Sequence, residues 1–245
     1  IARQSLSSNG ILMHISSDKK IIDVVNKIAP EHLELNVKNY KSFVSKIKSS
    51  GGKVYVLIFN LGFDKDDTIE SQEKRKNEVK SAMAVLNVDD YHLVNDRPDN
   101  NRDLDAKPLH SLIEVIESTS NVSLEKIAPT MVAIPTIFSH HQDHVHVHHA
   151  CIAALRPIST PVSNVVLSYE APEHSRWSAN GIFEPNLFVE IDNEIDDKIE
   201  AFMKYESQVR PGGRDADSIR NQARYRGQEV GKELCEAFYV HRFIL

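Results

Sequence analysis

Met131-Val132-Ala133-Ile134-Pro135-Thr136-Ile137-Phe138-Ser139-His140-His141-Gln142-Asp143-His144-Val145-His146-Val147-His148-His149 is the stretch on which the fold turns. Its first six residues form an apolar run that reads as a buried strand. The polar residues from Ser139 read as a short loop ahead of a helix opening at Asp143. Six of the chain's twelve histidines lie between His140 and His149, so the loop and the helix start carry half of its imidazoles. Strand, loop and helix in that order place them at the carboxyl edge of a sheet, where α/β proteins keep their sites.

Neutral imidazole is a common ligand for zinc, and a carboxylate beside a ligand histidine orients its ring and fixes its tautomer. In a helix from Asp143, His144 and His148 fall at i and i+4, as do Val145 and His149, a spacing that permits two ligands on one helix. The alternative for His140, His146, His148 and His149 is solvation, or capping and packing of the helix start, since a metal needs only about three or four protein ligands. Asp143 has an equally ordinary alternative as a helix N-cap.

Working outward, Val54 to Phe59 is a continuous apolar, β-branched and aromatic run, the pattern of a parallel strand covered on both faces. A helix from Ile69 to Leu86 is expected, with Val79, Ala82, Met83 and Leu86 inward and Arg75 and Glu78 near its middle. Tyr91 to Val94 reads as a strand, Asn95 to Asp105 as a polar loop outside the core, and Leu109 to Ile116 as a short helix. Beyond the histidine-bearing helix, strands are expected at Asn164 to Glu170 and Leu187 to Ile191. Helices follow at Ile195 to Tyr205 and Ala216 to Phe238, joined by the loop Pro211-Gly212-Gly213-Arg214. Strands alternating with helices predict an α/β fold, a three-layer sandwich with a mostly parallel sheet.

Toward the amino terminus, Ile11 to Ile15 is a short apolar run expected to pair beside Val54 to Phe59. Amphipathic helices follow over about residues 19–28 and 39–48, and Gly51-Gly52 makes a joint. Two domains are expected, 1–51 and 52–245.

A hydrophobic share of 41% and a charged share of 26% are those of a globular protein with an ordinary core. With a net charge of −6 and no long basic run, nucleic acid is not an expected partner. No apolar stretch approaches the roughly 20 residues that span a bilayer, so a membrane is not expected either and a cytoplasmic location is. Cys151 and Cys235, each placed within a helix and without metal-ligand spacing, read as reduced packing residues.

Several separate stretches carry a family resemblance over about residues 43–245. They include Lys53 to Phe59, Arg75-Lys76-Asn77-Glu78, Leu104-Asp105 through Pro108-Leu109, His141-Gln142-Asp143-His144 and Tyr169-Glu170. Further on come Pro185 to Val189, Tyr205-Glu206-Ser207-Gln208, and Ala223-Arg224-Tyr225-Arg226-Gly227 with Glu236-Ala237-Phe238. In this order they resemble the LmbE-like, or PIG-L, family of zinc-dependent N-acetylglucosaminyl deacetylases. The resemblance implies a metal-dependent hydrolase acting on an N-acetylglucosamine-type sugar or conjugate, with Zn2+ as cofactor. It implies His144 as a metal ligand, His141 as the histidine that assists the tetrahedral intermediate, Asp143 as the aspartate that steadies the site, and Arg75 and Glu78 near the sugar pocket. The family's earlier His-Pro-Asp-Asp-Glu motif, which supplies its other metal ligands and its general base, has no counterpart here. Ser16-Ser17-Asp18 keeps only one aspartate of it.

In that motif's place stands a segment, about residues 1–51, that resembles the carboxyl-side part of histidinol dehydrogenase. Arg3-Gln4-Ser5-Leu6 and Asn26-Lys27-Ile28-Ala29-Pro30-Glu31-His32-Leu33-Glu34-Leu35 carry the likeness. In that family the Glu-His pair, here Glu31 and His32, does acid-base work. Three functional expectations follow: a deacetylase impaired by the missing motif, a non-catalytic remnant or binding protein with the deacetylase fold, and a fragment of a histidinol dehydrogenase-type oxidoreductase.

Overall fold

A computed structural model describes residues 52–61, 68–94, 104–158, 161–171 and 181–244. The expectations for Ile11 to Ile15, for both amino-terminal helices, and for Glu31 and His32 lie outside the described residues. The chain divides into two compact units, Ile1–Lys53 and Val54–Leu245, and the second holds the elements described below.

β1 (Tyr55–Ile58) and β2 (Asp90–Leu93) pair in parallel, Tyr55 opposite Asp90 and Ile58 opposite Leu93. Between them runs α1 (Ile69–Val85). Thr68 starts α1 with a reciprocal cap: its hydroxyl accepts from the Ser71 amide at 3.1 Å, and the Ser71 hydroxyl accepts from the Thr68 amide at 3.0 Å. Val79, Ala82 and Met83 of α1 pack on Val56, Ile58, Tyr91 and Leu93, the inward stripe that the 3.6-residue period predicts. Leu86 does not belong to that stripe. It is the residue that ends the helix, outside its last regular turn, and it is 46% exposed.

The second sheet runs in the order β3-β4-β6-β5, with β3 (Met131–Pro135), β4 (Val165–Tyr169), β5 (Leu187–Glu190) and β6 (Cys235–Phe243). β3 and β4 are parallel, and β6 runs antiparallel to both β4 and β5. Three of its four strands therefore point one way, and the fold is the expected α/β sandwich with a single reversed strand. β3 and β4 are covered by α2 (Leu109–Glu114, continued as a π-helical turn to Thr119) and α4 (Gln142–Ala154). The short α3 (Leu124–Ile127), which no sequence pattern announced, leads into β3. Leu104, assigned above to a polar loop, is a core residue at 1% exposure. It sits in a single 3-10 turn and packs in the same cluster as Phe59, Leu112 and Ile134.

α5 (Ile195–Met203) and α6 (Ala216–Glu229) bury Ile195, Ile219 and Ala223 with Ile191 and Leu234. Here the helix expected over 216–238 is corrected: it ends at Glu229 and the chain returns as β6. Gly231 adopts φ +70°, the Lys232 amide donates to the Gly227 carbonyl at 2.8 Å, and the Gly231 amide reaches the Gln228 carbonyl at 3.4 Å. Those two bonds and a left-handed glycine make the Schellman stop, which reverses the chain at the end of α6. Cys235 consequently lies in a strand rather than a helix. Like Cys151, it is a buried free thiol, and burial pushes the Cys151 pKa up to about 12.

Candidate active site

The site is assembled where β1 and β3 end. Past β3, Thr136 extends the ladder by donating its amide to the Tyr169 carbonyl at 3.0 Å. Its hydroxyl then accepts from the Phe138 amide at 3.2 Å, and the Ser139 hydroxyl accepts from the His141 amide at 3.0 Å. Two hydroxyl-closed turns in succession fix the path from strand to helix. His141 is the N-cap of α4, and its side chain makes no capping bond. Asp143 stands in the first turn, where the exposed amides of a helix start favour a carboxylate, and it is not the N-cap. The His141 and His144 rings lie 5.2 Å apart, tilted by 31°.

Past β1, the Asn60 amide donates to Asp143 Oδ2 at 3.3 Å, joining the turn after β1 to the first turn of α4, 83 residues away in sequence. Asn60 also lines a cleft of about 290 Å³, with Val56, Ile58, Leu61, Val79 and Met83 as its apolar wall and Arg75, Glu78, Tyr205 and Gln208 as its polar groups. Arg75 and Glu78 are each 6% exposed, so they are not a solvated surface pair. Glu78 is held from the other side of the cleft: its carboxylate accepts from the Ser207 amide at 2.9 Å and from the Ser207 hydroxyl at 2.5 Å. Burial first, then the charges of Glu78 and Tyr91, raise the Tyr205 pKa, so this phenol is a neutral donor at the cleft wall. The sequence singled out Arg75, Glu78, Asp143 and His141 without showing what links them. Asn60 lines the cleft with Arg75 and Glu78 and bonds Asp143, and Ser207 bonds Glu78; His141 is joined to Ser139 and His144 instead, and no sequence spacing points to Asn60.

The described residues do not bring together three or more His, Cys, Asp or Glu side chains able to hold a metal ion. The other candidate ligands at the start of α4 lie away from His144 or at the surface. His146 Nε2 meets the Lys107 carbonyl at 2.9 Å, and His148 Nδ1 meets the Pro135 carbonyl at 2.8 Å, while His140 and His149 are exposed. The i,i+4 pair His144 and His148 is therefore not a two-ligand set: His148 is 5% exposed and packed between helix and sheet. Structural zinc sites use four ligands and catalytic ones about three, so the donor set among the described residues does not fit zinc.

Residues 39–155 match the sequence model of the family described as GlcNAc-PI de-N-acetylase, PIG-L. Over those residues, just under half of the chain, the sequence is PIG-L-like. Residues 1–57 match the histidinol dehydrogenase model, so the two matches overlap across residues 39–57. Histidinol dehydrogenase of Pelagibacter ubique is 69% identical over 69 residues, 25% of this chain and 16% of that protein. The chain thus spans less than a fifth of the length of the curated relatives it matches. Among solved structures, the conserved protein TT1542 from Thermus thermophilus aligns with a TM-score of 0.58 at 21% identity, covering 82% of this chain and 87% of that one. The N,N'-diacetylchitobiose deacetylase from Pyrococcus horikoshii aligns with a TM-score of 0.57 at 15% identity, covering 94% of both chains. At those identities the likeness fixes the fold of the PIG-L-like domain.

A buried ion pair braces the same domain. Arg226 of α6 donates from Nε and Nη2 to the two oxygens of Glu170 at 2.5 and 2.8 Å, and from Nη1 to Glu229 at 2.8 Å. Burial disfavours its charge, but the hydrogen bonds and charges of both carboxylates outweigh that and raise its pKa. The Arg226 and Glu170 side chains are 6% and 4% exposed.

Proposed function

We propose that the PIG-L-like domain is a deacetylase of an N-acetylglucosamine-type sugar or conjugate, impaired because the family's first metal motif is missing from the sequence. The cleft takes the sugar. Arg75 offers charged donors to its hydroxyls, the apolar wall takes a ring face, and the acetamide lies toward Asn60 and Asp143. His141 and Asp143 stand at the reacting end, with His144 as the inherited metal ligand. The observation that carries this reading is the Asn60–Asp143 bond, because it ties the cleft mouth to the start of α4. The family match over residues 39–155 supports the reaction class.

The incomplete donor set favours a second reading, a non-catalytic binding protein with the same fold. Elemental analysis of the purified full chain for zinc, with acetate release from N-acetylglucosamine conjugates, separates the two. Substoichiometric zinc and slow, zinc-stimulated acetate release support an impaired deacetylase. A folded chain that releases no acetate at any zinc concentration leaves only the binding protein.

A further inference from the structure

The α4 histidines that the candidate site leaves aside make an arrangement of their own. The His148 contact with Pro135 is to a carbonyl, which only accepts, so Nδ1 carries the proton and Nε2 is the bare nitrogen of a neutral ring. Against that ring lie two others: His241 of β6, with centroids 5.6 Å apart and planes at 55°, and His149, edge-on at 5.9 Å. His241 also touches the Ser168 hydroxyl through Nε2 at 3.2 Å and packs on Tyr239 at 5.0 Å. His149 and His241 are exposed, so protons reach the rings on two sides of a third that is shut in.

We infer that His148, flanked by His149 and His241, is an acid-sensitive latch that holds α4 against the carboxyl end of β3 and loosens it as His148 and His241 take up protons.

The bond from residue 148 to residue 135 spans the whole connection between β3 and α4. It therefore sets where the helix bearing Asp143 and His144 sits on the strand. Burial, and then the charge of His149, lower the His148 pKa against the opposing pull of the Pro135 carbonyl; burial, and then His148, lower that of His241. Among the described residues, little around the rings offsets a positive charge. β3 brings no titratable group, and β4 brings Ser168 and the Tyr169 phenol. β6 brings Tyr239 and Arg242, the latter turned to the Leu155 and Ser163 carbonyls. On α4 itself, His144 and Cys151 lie within about a turn on either side. Of the carboxylates on the helical segment packed over α4, Glu117 is held by Arg156 and Glu114 is exposed.

The folded ring binds its proton less readily than an ordinary histidine at about 6.5. As pH falls below that value, the unfolded or loosened chain takes up protons first. Stability present above it is thus lost as pH drops toward the lowered folded value. Clustered histidines act as switches of packed surfaces in this pH range.

Amide hydrogen exchange over residues 142–154 of the full chain, at pH 8 and pH 5 and corrected for intrinsic rates, tests the latch in three proteins: wild type, His148→Asn and the double variant His149→Gln/His241→Gln. Asparagine keeps a donor where Nδ1 stood, and glutamine at 241 keeps a nitrogen beside Ser168. The expected result is a loss of α4 protection at pH 5 in wild type, a smaller loss in the double variant and none in His148→Asn. Equal protection at both pH values in wild type, or the same acid loss in the double variant, overturns the latch. The double variant changes two exposed side chains and decides the matter by itself if His148→Asn fails to fold. Neither zinc nor substrate enters the measurement, so its outcome is independent of the proposed deacetylase reading.

Discussion

Glu78 is a buried carboxylate satisfied by both the amide and the hydroxyl of one residue, Ser207, 129 positions away. Truncating it strands two donors at the cleft wall. Glu78→Ala is expected to cost about 1–3 kcal/mol, the penalty for leaving buried polar groups unpaired. That corresponds to a fall in Tm of roughly 2–4 °C per kcal/mol in a domain of this size, read by thermal unfolding. An unchanged Tm would show that water repairs the loss. Arg226→Ala is the more severe change, because it leaves the Glu170 charge buried and alone; about 3–5 kcal/mol is expected. Denaturant unfolding checks it, and a change under about 1 kcal/mol would mean that Glu170 swings out to solvent. At this scale the sequence was partly legible. Arg75, Glu78, Asp143 and His144 stood out through the motifs that contain them. Asn60 did not, and although Ser207, Glu170 and Arg226 lie in such motifs their pairings were not visible, because each gets its role from a partner more than fifty residues distant.

Strands and helices with a strong period were legible as elements: β1, α1, β3, α4 and β4 lie within a residue or two of their expected places. The failure at α6 and β6 is instructive because its signal was in plain view. Ala216 to Phe238 has apolar residues at helical intervals, yet Gly231 marks the stop, and Phe238 to Phe243 is rich in the aromatic and β-branched residues that strands favour. The helical period masked the single glycine. Gly227 marks the same junction from the packing side: a Cβ placed there would stand 2.6 Å from the Glu233 carbonyl oxygen, backbone that cannot turn aside. Gly227→Ala is therefore expected to destabilise by about 1–3 kcal/mol, against helix propensity, which favours alanine. A stability equal to or above wild type in chemical unfolding would show that the α6–β6 corner yields easily.

Across the whole molecule, two family segments meet in one chain, and a composition of even charge and moderate hydrophobicity gave no warning of it. Only motif order did. What composition and period could not show is the division of the described strands into a parallel pair and a separate four-stranded sheet, since strand order depends on contacts between distant segments. Because the chain spans 16% of the Pelagibacter ubique dehydrogenase, histidinol-dependent reduction of NAD is expected to be absent; its appearance in the purified chain would revive the oxidoreductase alternative. Among the described residues, no helix is long and apolar enough to cross a membrane. The deacetylase proposal for the PIG-L-like domain rests on His144 and the cleft acting together. The most direct measurement is acetate release from an N-acetylglucosamine conjugate at saturating added zinc, by wild type and by His144→Ala. Slow release by wild type that disappears in His144→Ala is the predicted result; release that is equal in the two proteins, or absent from a folded wild type, contradicts it.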